Sequence, residues 1–179
     1  MGAPREEDAV SRARRVRLMI FDVDGVLTDG SLYFSDTGGE FKVFHARDGH
    51  GLKMLRESGV SVAILSGRRS PAVENRAAEL GIKIVEQGAA DKGATFNRLL
   101  LDHALPASSA GYIGDDLPDL PALTRCGFAA SVPEAPQAVR DRVHYVTRAS
   151  GGRGAAREIC EFIMQAQQTL EGALARQLA

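Results

Sequence analysis

Short apolar runs alternate along the chain with longer segments whose apolar residues fall on one helical face. The short runs predict strands at 17–21, 60–65, 82–85, 110–113, 128–131 and 143–146. The amphipathic segments predict helices at 51–58, 71–80, 92–103, 117–125 and from 155 to about 177. Strands that alternate with helices in this way form a parallel sheet with helices on both faces. The pattern therefore predicts an α/β fold.

Residues 31–44 have a different pattern, in which two apolar runs flank a turn-rich loop, and this predicts a β-hairpin. Bulky apolar side chains occur on both of its faces, since Leu32 and Phe34 share one face and Tyr33 lies on the other. Exposing both faces to water would be costly. Burial against another subunit would explain this pattern, and so would packing against the hairpin's own domain.

The length of 179 residues suits one well-buried domain better than two. We expect residues 1–15 to form a flexible leader and residues 16–179 to form a single domain, with a C-terminal helix and tail at about 155–179. Four arginines lie close together near the amino terminus, where they form either a basic arm or a solvated, frayed end. They are Arg12, Arg14, Arg15 and Arg17.

Composition and charge argue against several classes of protein. The formal net charge of −1 is unlike that of a nucleic-acid binder that depends on bulk charge. No apolar segment approaches the length of a membrane span, and no apolar core follows the early arginines as a signal peptide requires. Cys126 and Cys160 have no metal-type spacing. Two reduced thiols in a cytoplasmic protein are therefore expected.

Asp22 and Asp24 are the first candidates for chemistry, because they directly follow the first predicted strand. Residues two apart on a strand point the same way, so both carboxylates can face one point at the carboxyl edge of the sheet. Ligands bind at that edge in open α/β sheets. Two carboxylates this close repel each other unless a cation lies between them. The pair therefore predicts a Mg²⁺ ion and, with it, a phosphate ligand.

Polar residues also follow the later predicted strands. Ser66 follows the second strand, Lys92 begins a predicted helix, and Asp115 and Asp116 follow the strand at 110–113. Each has an ordinary structural explanation, because Ser66 and the two acids could cap helices and Lys92 could be a solvated helix charge. Their succession on consecutive strand ends is hard to explain by capping. The combination predicts one polar site at the sheet edge.

In this order the residues resemble the four motifs of the haloacid dehalogenase superfamily of phosphotransferases. The matching stretches are Asp22-Val23-Asp24-Gly25-Val26, Ser66-Gly67-Arg68, Lys92 and Gly114-Asp115-Asp116-Leu117-Pro118-Asp119. Residues 22–30, 44–51 and 146–154 further resemble the 3-deoxy-D-manno-octulosonate 8-phosphate phosphatases, the small, cap-less branch that acts in lipopolysaccharide synthesis. The resemblance implies a Rossmann-like domain with a projecting hairpin in place of a cap.

The resemblance also implies roles for the motif residues. Asp22 would be the nucleophile that forms an aspartyl-phosphate, and Asp24 the acid and base that serves the leaving alkoxide and then the water. Mg²⁺ would bind the carboxylates of Asp22 and Asp115 and the backbone carbonyl of Asp24. Ser66 would hydrogen-bond the phosphoryl group and Lys92 would offset its charge. Asp116 would be a further ligand or support one, and Asp119 would orient its loop.

The implied substrate is an acidic sugar phosphate, whose carboxylate calls for arginines around the mouth of the site. Gly67 and Arg68 are candidates for substrate binding, and so are Arg47 and Arg153, for which a surface arginine is an equally good explanation. Members of this branch are tetramers whose hairpins pack together, and each active site is completed by a neighbouring subunit. We therefore expect a homotetramer with active sites at subunit interfaces and no nucleic-acid or membrane partner.

Two alternatives remain open from the sequence. A phosphatase for a nine-carbon acidic sugar phosphate would share these motifs. A receiver-like signalling module also clusters acids, a hydroxyl and a lysine around magnesium. However, a receiver carries its phosphorylated aspartate on a middle strand, whereas Asp22 follows the first strand here.

Overall fold

A parallel sheet of six strands forms the centre of the molecule in the computed structural model, which describes residues 3–176 and 178 and only the backbone of residues 3–7. Two further strands, β2 and β3, form a separate antiparallel hairpin. The strands are β1 (Leu18–Phe21), β2 (Tyr33–Phe34), β3 (Glu40–Phe41), β4 (Ser61–Ser66), β5 (Ile84–Gln87), β6 (Ala110–Ile113), β7 (Phe128–Ser131) and β8 (Tyr145–Val146). The order across the central sheet is β5-β4-β1-β6-β7-β8.

Helices cover the sheet and connect its strands. They are α1 (Ala3–Ala13), α2 (Ala46–Glu57), α3 (Pro71–Leu80), α4 (Lys92–Asp102), α5 (Leu120–Leu123), α6 (Gln137–Arg140), α7 (Ala155–Ala166) and α8 (Leu170–Ala175). The chain runs from β1 through α2 and α3 toward one edge, and returns through α4 and α5 toward the other. Because such crossovers are right-handed, the two pairs of helices lie on opposite faces. α7 packs against α1 and α2. The predicted Rossmann-like architecture is confirmed.

The register of the central strands determines which residues meet at the carboxyl edge. All four residues of β1 are buried, and β1 lies between β4 and β6. Phe21 is aligned with Ile64 on one side and with Ile113 on the other. The residues that follow these strands therefore emerge next to one another, at the edge where ligands bind in parallel α/β sheets.

The hairpin occupies the predicted segment, although its paired strands are short. Tyr33 pairs with Phe41, and Phe34 pairs with Glu40. Its apolar side chains are largely exposed within the single chain, with Phe34 at 65% and Phe41 at 62%. Its own domain therefore leaves a large part of the apolar surface of the hairpin uncovered.

The prediction of a flexible leader at residues 1–15 is wrong for its described part. Residues 3–13 form α1, and Ala9 and Ala13 are fully buried against the core. Arg12 donates to the carbonyl of Gly127 (3.1 Å) and Arg14 to that of Ala166 (3.3 Å). The helix was missed because alanine is a weak hydrophobic signal and the surrounding arginines are typical of a solvated end. Residues 1 and 2 lie outside the described part.

Several element boundaries also differ from the predictions. α2 begins at Ala46, ahead of the predicted start at residue 51. The predicted C-terminal helix is divided into α7 and α8, because Gln168 adopts a left-handed conformation (φ 59°) between them. In the part of the chain that the structure describes, no helix is both long and apolar enough to cross a membrane.

Candidate active site

The site begins with the turn that follows β1. Asp22 is buried and extends the sheet, since its N–H donates to the carbonyl of Ile113 (3.0 Å). The chain then turns sharply, with Gly25 at φ 89° and the N–H of Thr28 donating to the carbonyl of Val23 (3.0 Å). A Cβ at Gly25 would overlap the carboxylate of Asp115. Only glycine therefore allows the acid after β6 to approach the turn after β1.

Lys92 connects this turn to the acidic loop after β6. It lies at the start of α4, where the Asp91 side chain accepts from the N–H of Ala94 (2.9 Å) and caps the helix. Its Nζ donates to Oδ1 of Asp22 (2.7 Å) and to Oδ1 of Asp119 (2.6 Å). Lys92 is thus a buried ion-pair partner of the predicted nucleophile, and the alternative of a solvated helix charge is wrong.

Asp119 orders the loop after β6 through both of its carboxylate oxygens. Oδ1 accepts from the hydroxyl of Tyr112 (2.6 Å) as well as from Lys92. Oδ2 accepts from the N–H groups of Asp115 (3.2 Å) and Asp116 (3.1 Å). Asp119 therefore holds the backbone of this loop at Asp115 and Asp116. Tyr112 was missed, because a tyrosine on an apolar strand gives the same pattern as any core residue.

The cluster contains more negative than positive charge. Burial and the nearby carboxylate of Asp119 raise the pKa of Asp22 well above its usual value, despite the Lys92 ammonium. Burial and Asp119 also raise the pKa of Asp115 to about 6. Burial would lower the pKa of Lys92, but the carboxylates of Asp22 and Asp119 outweigh it and raise that pKa. Three carboxylates share one ammonium, so full ionisation leaves an excess of two negative charges.

This donor set fits a divalent magnesium ion. One carboxylate oxygen each of Asp22, Asp115 and Asp119 lies within 4.8 Å of the others. Because both oxygens of Asp119 already accept hydrogen bonds, Asp22 and Asp115 are the carboxylates with ligand capacity. Mg²⁺ is a hard cation that takes one or two carboxylates and completes its octahedron with other oxygens. A dication would also balance the excess charge.

The predicted motif residues line one cavity of about 340 Å³ at this edge. Its lining comprises Asp22, Asp24, Gly30, Leu32, Ser66, Gly67, Arg68, Lys92, Asp115, Asp116, Pro118 and Asp119. Ser66 ends β4 and does not cap α3, which instead follows Ser70. Asp116 is exposed and its carboxylate accepts from the N–H of Leu117 (2.8 Å), so the capping explanation holds for this residue.

Arg47 and Arg153 do not line this cavity. Arg47 is exposed in the first turn of α2. Arg153 lines an adjoining cavity of about 290 Å³, which shares Gly30 and Asp115 with the first. Its Nη2 lies 3.9 Å from Oδ2 of Asp29. The substrate contacts predicted for these two arginines remain predictions.

Two hairpin residues that the sequence analysis did not single out reach the site. Lys42 contacts the carboxylate of Asp24, and its Nζ lies 3.3 Å from Oε1 of Glu40. Nη2 of Arg68 lies 3.3 Å from the same Glu40 oxygen. The alternation of the strand carried the signal, because Lys42 lies between two outward-facing apolar residues and therefore points inward.

The loop at 150–154 supports the first turn from behind. The N–H of Gly152 donates to the carbonyl of Val26 (2.8 Å), and a Cβ at Gly151 would overlap the carbonyl of Gly25. Asp48, buried in α2, accepts from the N–H groups of Gly154 (3.1 Å) and Arg157 (2.8 Å) at the start of α7. The segments at 44–51 and 146–154 thus hold the turn that contains Asp22 and Asp24.

A larger cavity, of about 580 Å³, lies away from this site between α1, α7 and β8. Its lining includes Arg14, Tyr145, Glu158 and Phe162 and contains none of the motif residues. Glu158 uses its carboxylate to accept from the Tyr145 hydroxyl (2.8 Å). The smaller cavity at the carboxyl edge is therefore the candidate active site, because it contains the acid and lysine cluster.

Comparison with known proteins agrees with the resemblance noted in the sequence. No family model matches the chain. The chain is 44% identical over 170 residues to the 3-deoxy-D-manno-octulosonate 8-phosphate phosphatase KdsC of Yersinia pestis, covering 95% of this chain and 91% of that protein. The crystal structure of the Moraxella catarrhalis phosphatase of the same name, in complex with magnesium, phosphate and 3-deoxy-D-manno-octulosonate (KDO), has a TM-score of 0.94 and 40% identity, covering 96% of this chain and 98% of that one. The cobalt-bound phosphatase from Haemophilus influenzae has a TM-score of 0.87 and 40% identity, covering 92% and 99%.

Proposed function

The chain belongs to the 3-deoxy-D-manno-octulosonate 8-phosphate phosphatases of the haloacid dehalogenase superfamily, and we propose that Asp22, with magnesium, carries out its reaction. The enzyme hydrolyses 3-deoxy-D-manno-octulosonate 8-phosphate to 3-deoxy-D-manno-octulosonate and phosphate. The observation that carries the proposal is the convergence of the motif carboxylates, Ser66 and Lys92 around one cavity at the sheet edge.

The first step transfers the phosphoryl group to Asp22. A carboxylate oxygen of Asp22 forms a bond to phosphorus while the bond from phosphorus to the sugar oxygen breaks, and Asp24 gives its proton to that oxygen. The free sugar acid and an aspartyl-phosphate result. Since Lys92 donates to Oδ1 of Asp22, we propose that Oδ2 attacks.

The second step releases phosphate from Asp22. Asp24, now ionised, takes a proton from a water molecule whose oxygen attacks phosphorus, and the bond from phosphorus to the Asp22 oxygen breaks. This restores both aspartates to their starting forms. The water-accessible cavity supports this step, because Asp24 remains partly exposed while Asp22 is buried.

The carboxylates of Asp22 and Asp115 and the backbone carbonyl of Asp24 would hold the magnesium ion. When bound, the ion neutralises charge on the phosphoryl oxygens and on the carboxylate cluster. Ser66 hydrogen-bonds the phosphoryl group, and Lys92 fixes the Asp22 carboxylate while offsetting negative charge. The excess of two negative charges around Lys92 supports this arrangement.

Arginines at the mouth of the site select the acidic sugar. Arg68 lines the cavity beside Gly67, where a guanidinium can bind the substrate carboxylate. Arg153 of the adjoining cavity and the exposed Arg47 are further candidates for that contact. Arg47 would act on substrate in the assembled enzyme, since it does not line the cavity of its own chain.

The enzyme assembles as a homotetramer through its hairpins, with each site completed by a neighbouring subunit. Four apolar residues of the hairpin support this, because they are 44–65% exposed: Leu32, Phe34, Phe41 and Val43. Replacing Phe34 and Phe41 together with serine should reduce the mass measured by light scattering below that of the wild-type tetramer. Leu101→Ser, at a leucine elsewhere that is even more exposed (80%), is the control and should not change the mass. An unchanged mass in the double variant would contradict assembly through the hairpin.

We propose that the reaction takes place in the cytoplasm, as part of lipopolysaccharide synthesis. Cys126 and Cys160 are both free and buried, which supports a reducing compartment. Burial raises the pKa of both thiols. Cys126 and Cys160 therefore have a structural rather than a redox role.

Phosphate release from a panel of sugar phosphates tests the proposed function. The eight-carbon acid phosphate should be the preferred substrate over its nine-carbon analogue and over neutral sugar phosphates, and chelation of Mg²⁺ should stop the reaction. Preference for the nine-carbon acid would contradict the substrate. Turnover that is insensitive to chelation would contradict the mechanism.

A further inference from the structure

Lys42 is buried in an otherwise exposed part of the hairpin. Its side chain is 1% exposed, whereas its neighbours Phe41 and Val43 are 62% and 63% exposed. A buried ammonium is costly unless it is paired and hydrogen-bonded. The contacts of Lys42 with Asp24 and Glu40 offset this cost beside the site.

Four charged groups form a closed ring at that point. Lys42 contacts the carboxylate of Asp24 and lies 3.3 Å from Glu40, which is 3.3 Å from Nη2 of Arg68. Nε of Arg68 lies 4.0 Å from Oδ2 of Asp24 and closes the ring. With Asp24 ionised, the two carboxylates and two cations balance; with Asp24 protonated, as it is before the first step, the ring carries one positive charge.

The ring constrains the orientation of the Asp24 carboxylate. In the described part of the chain, Lys42 is the side chain that donates a hydrogen bond to Asp24, through Oδ1. Arg68 approaches the opposite oxygen but is 45% exposed, so its hold is looser. An acid that must deliver a proton along one direction depends on such a fixed carboxylate, since a small misplacement lowers the rate steeply.

We infer that Lys42 is a positioning residue, which acts from the hairpin by holding Asp24 in the orientation needed to protonate the leaving sugar oxygen. This inference rests on the role proposed above for Asp24. Glu40 supports Lys42 and links it to Arg68. Because Phe41 and Val43 flank Lys42, the subunit contact proposed for the hairpin would also steady Lys42.

Comparing substrates with different leaving groups distinguishes positioning of the acid from fold stabilisation and from sugar binding. An alkoxide such as the sugar oxygen needs a proton as it leaves, whereas a stabilised aryl oxide does not. Loss of Lys42 should therefore slow the sugar phosphate much more than p-nitrophenyl phosphate. A residue that only stabilises the fold would affect both esters alike. A residue that binds the sugar would weaken inhibition by the free sugar acid.

The test measures kcat/KM of the Lys42→Met variant on both esters, together with the inhibition constant of 3-deoxy-D-manno-octulosonate against p-nitrophenyl phosphate. We expect a loss of at least about tenfold on the sugar phosphate, within the range of general acid catalysis, and a much smaller loss on the aryl ester. The inhibition constant should be unchanged. Lys42→Arg should retain most activity, and Lys83→Met, at an exposed lysine, is the matched control.

Equal losses on the two esters, or a weakened inhibition constant that accounts for the loss, would overturn the inference. If Lys42→Met does not fold, the same measurements are made on Glu40→Gln. Its kcat/KM should also fall more on the sugar phosphate than on the aryl ester, although by less than in Lys42→Met. Equal losses on the two esters in Glu40→Gln would also overturn the inference. Wild-type enzyme that hydrolyses neither ester would instead contradict the proposed function and this inference with it.

Discussion

Asp119 shows how a carboxylate outside the reaction can determine the geometry of those within it. Its two oxygens accept from Lys92, Tyr112 and two backbone N–H groups, so the loop after β6 and the start of α4 are fixed to one residue. The ammonium of Lys92 is shared between Asp119 and Asp22. The proposed nucleophile is thereby oriented by a residue four positions after Asp115, the proposed metal ligand.

Lys92 is the residue whose loss should be most damaging to this cluster. Lys92→Met leaves two buried carboxylates without their cation, a change that typically costs about 3–5 kcal/mol of folding free energy. We expect a lower melting temperature and loss of turnover, measured by thermal unfolding and phosphate release. Lys83→Met makes the same replacement on the surface and should have little effect. Near-normal turnover in Lys92→Met would contradict the role of Lys92.

At this scale the sequence predicted residues by type and position but not their contacts. Asp22, Ser66, Lys92 and Asp115 could be predicted because their motifs follow consecutive strands. Strand alternation gives the inward orientation of Lys42, but its contact with Asp24 could not be predicted, because Asp24 lies eighteen positions earlier and the hairpin must fold back to reach it. A contact of this kind depends on tertiary packing, which local patterns do not contain.

At the scale of elements, the turn after β1 depends on glycines in two distant segments. Gly25 allows Asp115 to approach, and Gly151 allows the loop at 150–154 to lie directly against the Gly25 carbonyl. Asp48 fixes that loop from α2 by capping α7. Three elements therefore determine the position of the two aspartates that we propose to be catalytic.

Replacing Gly151 tests this dependence. A Cβ in Gly151→Ala would overlap the backbone of Gly25, which cannot move without displacing Asp24. We expect about 1–3 kcal/mol of destabilisation, as overpacking typically produces, together with a lower kcat. Gly172→Ala on α8 is the matched control, since its Cβ would make only an ordinary van der Waals contact, 3.9 Å from Nη1 of Arg176. Wild-type stability and kcat in Gly151→Ala would show that the loop does not support the turn.

Prediction of elements succeeded where the apolar pattern was strong. The strands at 110–113 and 128–131 and the helix at 71–80 have the predicted bounds, because buried strands and an amphipathic helix closed by Gly81 give clear patterns. α1 was missed because its buried residues are alanines. The break before α8 was missed because glutamine gives no sequence signal for a left-handed conformation.

For the molecule as a whole, the excess of negative charge links magnesium binding to stability. Without metal, the raised pKa of Asp115 means that the native state retains a proton that the unfolded state has released between about pH 4 and 6. This contribution therefore lowers stability as pH rises through that range. The raised pKa of Asp22 likewise lowers stability as pH rises. A cation that binds the ionised carboxylates removes this penalty.

Thermal unfolding with and without magnesium checks this linkage. Mg²⁺ should raise the melting temperature more at about pH 7.5 than at about pH 5, because protons compete with the ion at the lower pH. Asp115→Asn should lose most of the increment, whereas Asp102→Asn, at the exposed end of α4, should retain it. An increment that is independent of pH, or unchanged in Asp115→Asn, would contradict this account of the site.

The central claim is that Asp22 is the nucleophile of a magnesium-dependent phosphatase. The most direct test is phosphate release from 3-deoxy-D-manno-octulosonate 8-phosphate by the wild-type enzyme and by Asp22→Asn, each with Mg²⁺ and with a chelator. Asp22→Asn keeps the size of the side chain but cannot form an acyl phosphate. We predict turnover by the wild-type enzyme with Mg²⁺. Phosphate release should stay at background for the wild-type enzyme with the chelator and for Asp22→Asn under either condition. Substantial turnover by folded Asp22→Asn, free of contaminating phosphatase, would contradict the claim.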